Sequence, residues 1–189
     1  GVDVDPQRQR VYVANSGSGS VSVINSSSNA VMQTIAPISS ATGVAFDPVQ
    51  NIVWVTNSST NTLTPIQANA DATSFSIMST IPVGEQPWGV AYQPVNDYVY
   101  VVNNLDESVT VVDAATQVVV DTLSGSFSAP WHVAANPVTG KVYVANSGNN
   151  SVTVIDGTVV SGMVSLYDSG SPYGIAVDEL HDVVYVATV

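Results

Sequence analysis

The sequence has no cysteine and almost no positive charge: Arg8, Arg10 and Lys141 stand against fifteen Asp and Glu residues, giving a formal net charge of −12. The first absence excludes disulfides, thiolate nucleophiles and Cys-ligated metals. The second excludes nucleic acid as a partner, because too few cations are present to neutralise phosphate, and it disfavours an anionic membrane surface for the same reason. No apolar run approaches the roughly 20 residues that a membrane-spanning helix needs, so membrane insertion is not expected. Charged residues of either sign make up only 10% of the chain, which leaves Ser, Thr, Asn and Gly to cover the surface. Such a surface changes little as pH falls and suits an exposed or acidic setting. The chain opens inside a repeat with no export signal, so a signal is expected either never to have been made or to have been removed.

What the chain does have is a repeat. V-Y-V-A-N at 11–15 returns as V-W-V-T-N (53–57), V-Y-V-V-N (99–103), V-Y-V-A-N (142–146) and V-Y-V-A-T (184–188), so the five starts are spaced by 42, 46, 43 and 42 residues. A strand-rich period in the forties points to propeller blades. Each unit opens with an apolar strand a that ends at a turn, as in G-V-D-V-D-P (1–6), G-V-A-F-D-P (43–48), G-V-A-Y-Q-P (89–94), H-V-A-A-N-P (132–137) and G-I-A-V-D-E (174–179). Pro cannot donate to a sheet ladder, and Asp or Asn before it favours a turn. Strand b is the V-Y-V-A-N run. Its closing Asn (Asn15, Asn57, Asn103, Asn146) is expected to bond nearby backbone and to tolerate a left-handed turn. Strand c alternates in S-V-S-V-I (20–24), S-V-T-V-V (108–112) and S-V-T-V-I (151–155). Strand d is the loosest, read at 31–35, 77–81, 118–123 and 163–167. In the second unit Pro65 is expected to interrupt strand c, with a local bulge and a protruding loop at 67–75.

Strands a and b are almost continuously apolar, so both of their faces must be covered. Blades flanked by neighbours achieve this and leave strand d exposed. The expected fold is therefore an all-β propeller of four-stranded antiparallel blades, forming one domain over 1–189. Its blades are 1–42, 43–88, 89–131 and 132–173, with a half blade at 174–189. Because the chain starts with strand a and ends after strand b, it is expected to be an arc of a larger ring of about seven blades. Self-association through unpaired blade edges is the alternative.

The V-Y-V-A-N and V-W-V-T-N runs, the S-V-S-V-I-N and S-V-T-V-I-D strands, and the P-W-G-V-A and P-Y-G-I-A segments resemble the YVTN-family β-propeller repeat over essentially the whole chain. The resemblance implies a propeller fold and a place outside the cytoplasm, on a prokaryotic cell surface or secreted, as in surface-layer proteins. It implies no particular activity, because propellers of this type serve as adhesion modules, lactonases, lyases and electron-transfer enzymes.

In a meander the d–a and b–c connections share one rim. That rim carries P-W-G (87–89), P-W-H (130–132) and P-Y-G (172–174), which places Trp88, Trp131 and Tyr173 near one mouth of the central channel. They can offer a stacking surface for a sugar, peptide or small ligand, but their recurrence at one repeat position favours packing at the seams between blades. His132 stands where the other four units have Gly (Gly1, Gly43, Gly89, Gly174), so it is a candidate contact residue, general base or ligand. His181 belongs to the opposite rim, so no metal site is expected from the two histidines. Acids at strand ends, Asp5, Asp47, Asp178, Asp113 and Asp156, read as turn caps before they read as Ca²⁺ ligands, and no cofactor is expected. N-x-S/T acceptors at Asn25, Asn57 and Asn149 match no more often than chance allows in this composition. No G-x-S-x-G elbow is present, and no catalytic residue is assigned. The function these features favour is a non-enzymatic cell-surface module, a scaffold or adhesion element contacting other surface proteins or glycans. The alternative is the propeller of a lactonase-like, lyase-like or redox enzyme with its site in the channel.

Overall fold

A computed structural model describes residues 1–167 and 170–189. The first sheet holds β1 (Val2–Asp5), β2 (Arg10–Asn15), β3 (Ser20–Asn25) and β4 (Ala30–Ile35) in chain order. The second holds β5 (Ala41–Asp47), β6 (Ile52–Asn57) and β7 (Thr62–Ala68), whose outer side pairs two short strands, β8 (Phe75–Ile77) and β9 (Ile81–Pro82). The third is β10 (Pro87–Gln93), β11 (Tyr98–Asn103), β12 (Ser108–Asp113) and β13 (Val118–Ser124). The fourth is β14 (Pro130–Ala135), β15 (Lys141–Asn146), β16 (Ser151–Asp156) and β17 (Val159–Ser165), and a last pair comprises β18 (Pro172–Asp178) and β19 (Val183–Thr188). Every pairing is antiparallel, and no helix occurs among the described residues.

The first strand of each sheet lies innermost. β1, β5, β10, β14 and β18 all contribute to the wall of a single cavity of about 370 Å³, so the sheets fan about a common axis instead of stacking in a line. That is the arrangement of a β-propeller. The apolar core lies in the seams: Tyr12, Val21 and Val23 of the first sheet meet Val44, Phe46 and Val55 of the second, and comparable clusters fill the next three seams. This is why strands a and b lack polar alternation, for each fully buried Val or Ile contributes about 1.5–3 kcal/mol that an exposed one would not. Outer strands β13 and β17 are largely exposed, as expected of strand d.

Local details depart from the sequence expectation. Sheets two to five begin at Ala41, Pro87, Pro130 and Pro172, each two residues ahead of the expected blade start, because a bulge extends each inner strand toward its rim. Pro65 does not interrupt strand c. It pairs with Trp54 inside β7, and the break appears in its outer partner, where the expected strand at 77–81 splits into β8 and β9. A residue without N–H can accept through its carbonyl, as Pro65 does from Met78 N at 2.9 Å, but it cannot complete the ladder. The 67–75 segment does not protrude freely either. The Arg8 Nε donates to the Ala70 carbonyl at 2.7 Å and the Arg10 Nε to that of Ala72 at 3.2 Å, tying the loop to the first sheet and burying Ala72.

The Asn that closes strand b has a different role from the one expected. In each complete sheet its Nδ2 donates to two hydroxyls of strand c: Asn15 to Ser20 and Ser22, Asn57 to Thr62 and Thr64, Asn103 to Ser108 and Thr110, Asn146 to Ser151 and Thr153. The left-handed residues lie elsewhere, for example at Asn61 and Glu107 just ahead of strand c. The pair of hydroxyl residues opening strand c, each Ser or Thr and two positions apart, is thus the partner set of the Asn that precedes it.

Candidate functional site

Bulges at the start of the inner strands set the geometry of one channel mouth. Pro130 pairs with Asn146 and His132 with Ala145, which leaves Trp131 as the extra residue; Pro172 and Gly174 leave Tyr173 in the same way. In β10, Trp88 and Gly89 together oppose Val102. A bulge turns a side chain out of the sheet's alternation, and here it aims three aromatics at the rim. The indoles of Trp88 and Trp131 stack with centroids 4.4 Å apart and planes 22° from parallel, and Tyr173 meets Trp131 edge-on at 5.2 Å. The rings therefore pack on one another across successive seams, the geometry that their recurrence at one repeat position favoured. Thr42 takes the equivalent place in β5, where its hydroxyl lies 3.1 Å from the Pro87 carbonyl. The neighbouring Thr56 hydroxyl accepts from Gly43 N and donates to the Trp88 carbonyl, at 2.7 and 2.8 Å.

The glycines that follow Thr42 and Trp88 are close-approach residues. A Cβ on Gly43 would collide with the Trp88 carbonyl oxygen, and one on Gly89 would lie 3.0 Å from His132 Cα. In the fourth sheet the position is His132 itself. Its imidazole helps to wall both the mouth, a space of about 220 Å³ shared with Trp88 and Trp131, and the deeper 370 Å³ cavity. It stays open to channel water yet is surrounded by inner strands, and this burial holds its pKa below the usual histidine value against an opposing backbone interaction with Ile175. A neutral imidazole in that setting can accept a proton or a hydrogen bond.

A second polar group faces the same cavity and was not singled out from the sequence. Asp3 occupies the repeat position held by Ala45, Ala91, Ala134 and Ala176 in the other units. Its carboxylate accepts from Phe46 N of the adjacent inner strand at 2.6 Å and from Val4 N at 2.8 Å. Burial pushes its pKa up, and these two bonds oppose the rise. Aligning the five units in register would have exposed Asp3 by the rule that picked out His132, a residue that breaks a column of one small residue type.

The remaining candidates lie elsewhere. Asp47 Oδ1 accepts from Val49 N and Gln50 N, Asp113 Oδ1 from Thr116 N, and Asp178 Oδ1 from Leu180 N and His181 N, so these acids cap turns at the opposite rim. His181 Nδ1, in the turn between β18 and β19, lies 2.8 Å from Asp178 Oδ2, and their hydrogen bond lowers the Asp178 pKa. Asp5 pairs with Arg8 at 3.0 Å. Among the described residues no three His, Asp or Glu side chains gather as a metal site would require. No helix of the described residues is long and apolar enough to cross a membrane.

No protein-family model and no curated protein sequence matches the chain. Solved structures do. Hydrazine synthase of Kuenenia stuttgartiensis superposes with a TM-score of 0.81 at 17% identity over 93% of this chain. A protein of Lactobacillus plantarum gives 0.80 at 19% identity over 99%, and virginiamycin B lyase of Staphylococcus aureus gives 0.81 at 13% over 100%. The fold is a β-propeller. At these identities the likeness concerns the fold alone, and the chain spans 51%, 63% and 62% of those three structures.

Proposed function

We propose that this propeller segment forms part of a central-channel site of the enzyme kind, binding a small organic molecule at the mouth walled by Trp88, Trp131 and His132. The observation that carries the reading is His132: a neutral, water-accessible imidazole at the one inner-strand position where every other unit keeps Gly. Such a group is suited to general-base work or to orienting a ligand, and the indoles beside it supply an apolar wall. Two of the structural neighbours carry enzyme names, a synthase and a lyase, which supports this alternative over a purely structural module.

The test is His132→Gly, which restores the residue of the other units. The variant is expected to keep its melting temperature while losing two properties of the parent protein. One is the ligand-induced shift of indole fluorescence in a small-molecule screen; the other is any turnover of lactones and cyclic esters. Unchanged binding and turnover in the variant would remove the channel reading. A surface-contact module, extracytoplasmic and facing other proteins or glycans, remains the second reading. It is favoured by the exposed Val118, Val120, Val159, Met163 and Val164 on the outer strands, and partner capture abolished by Lys at Val120 and Val164 would support it.

A further inference from the structure

Two residues break the repeat on the inner strands with a functional side chain, and both reach the same space. Asp3 replaces a column of Ala and His132 a column of Gly, on strands β1 and β14 that do not adjoin, yet both wall the 370 Å³ cavity. The other polar side chain there, Tyr92, already donates its hydroxyl to Asp97 at 2.8 Å. The rest of the wall is Val, Ala, Ile and Phe. None of the three cationic side chains of the chain belongs to it. Arg8 is bound to Asp5 and the Ala70 carbonyl, Arg10 to carbonyls including those of Ala72 and Asp71, and Lys141 opens β15 at the opposite rim.

We infer that the channel takes a small organic cation bearing an ammonium group, with the Asp3 carboxylate as its counter-charge and His132 accepting a second hydrogen bond. The inference rests on the channel reading above and gives it a ligand class. Each Asp3 oxygen accepts one backbone N–H and so keeps a lone-pair direction free for a further donor. An anion entering the cavity would meet this carboxylate with no cationic side chain in the wall to offset it, inside a protein of net charge −12, and the Gly1 amine at the adjoining mouth already donates to the Thr42 carbonyl at 2.7 Å. A metal ion is the weaker choice, since a single carboxylate beside an imidazole leaves most of a coordination shell unfilled. The indoles of Trp88 and Trp131 at the adjoining mouth favour an organic cation over a hydrated inorganic one.

The experiment compares ethylammonium with propionate, which carry the same ethyl group and differ in the sign of the charged end. Binding is followed by the ring signals of His132 and the indole signals of Trp88 and Trp131 in nuclear magnetic resonance titrations. Ethylammonium is expected to shift these signals saturably, and propionate is not. Asp3→Ala, which restores the residue of the other four units and should therefore fold, is expected to weaken ethylammonium by about tenfold or more, as loss of a charge-assisted hydrogen bond does. Asp3→Asn, which keeps the shape and one acceptor, is expected to fall between. Equal binding of propionate, or an unweakened Asp3→Ala variant, would overturn the ligand class while leaving the His132→Gly test of the channel intact. Silence of the channel signals toward ethylammonium would overturn it as well, and the channel reading would then stand or fall on the broader screen.

Discussion

Asn103→Ala is the sharpest probe of how a blade holds together. Asn103 Nδ2 donates to Ser108 Oγ at 3.0 Å and to Thr110 Oγ1 at 2.9 Å, and the three residues are 0%, 4% and 2% exposed. At about 1 kcal/mol net per bond the substitution should cost about 2 kcal/mol, and stranding two buried hydroxyls adds to this. Part of that addition is returned, because Asn103 Oδ1 is itself buried without a partner and its removal relieves a desolvated acceptor. The expected net loss of about 2 kcal/mol lowers the melting temperature by roughly 4–8 °C in a domain of this size. Urea unfolding followed by tryptophan fluorescence measures it, with an unchanged slope showing that compactness is unaffected. Two companions sharpen the reasoning. Asn15→Ala, whose matching bonds are only partly buried, should cost about half as much. Adding Thr110→Val to Asn103→Ala should recover part of the loss by removing a stranded hydroxyl. An Asn103→Ala cost below about 0.5 kcal/mol would refute the assignment of this Asn as the b–c clasp, since two buried bonds cannot be lost so cheaply.

Two further outcomes are expected. Burial and the nearby Asp5 charge push the Tyr12 phenol up to about 12, so this group favours the folded state below its ordinary value of 10.0 and loses that contribution as pH rises toward 12. Because its hydroxyl is buried without a partner, Tyr12→Phe should leave neutral-pH stability unchanged or slightly raised and should shift alkaline unfolding upward, and no change in the alkaline limb would count against this. Arg10→Ala removes the donor that holds the Ala72 and Asp71 carbonyls, so limited proteolysis is expected to cut the 69–74 loop several times faster while the remaining sheets stay intact. An unaltered cleavage rate there would show that Arg8 alone fixes the loop.

The architecture was legible because it depends on periodicity, which a sequence displays directly: the five V-x-V-x-[NT] runs place every strand b, and the strand count follows. What stayed hidden depends on contacts between units. That Asn103 clasps Ser108 and Thr110 needs the b–c register, and that Pro65 splits the strand beyond it, not its own, needs to be known from which side Pro65 lacks a donor. The docking of the 69–74 loop on Arg8 and Arg10 joins residues about sixty positions apart, beyond any local pattern. Asp3 is different in kind, because its signal was present in the column of Ala residues and was obscured by the acids that end strand a, which look more conspicuous and turn out to cap turns.

The inner strands also explain why a propeller can vary its channel at small cost elsewhere. Their neighbours approach so closely that a Cβ on Gly1 would stand 2.9 Å from Val44 N. A larger residue in the Gly column works against packing, so His132 gains nothing for the fold that Gly would not supply more cheaply, whereas Asp3 also ties β1 to Phe46 N of the next inner strand. The seams, by contrast, hold the large apolar clusters and the Asn clasps, and they repeat from unit to unit with little change. Stability is thus carried between the blades and variation is carried on the axis. A chain built this way can place an imidazole and a carboxylate in one channel, from blades that do not touch, without altering a single seam contact of the kind that fixes the ring.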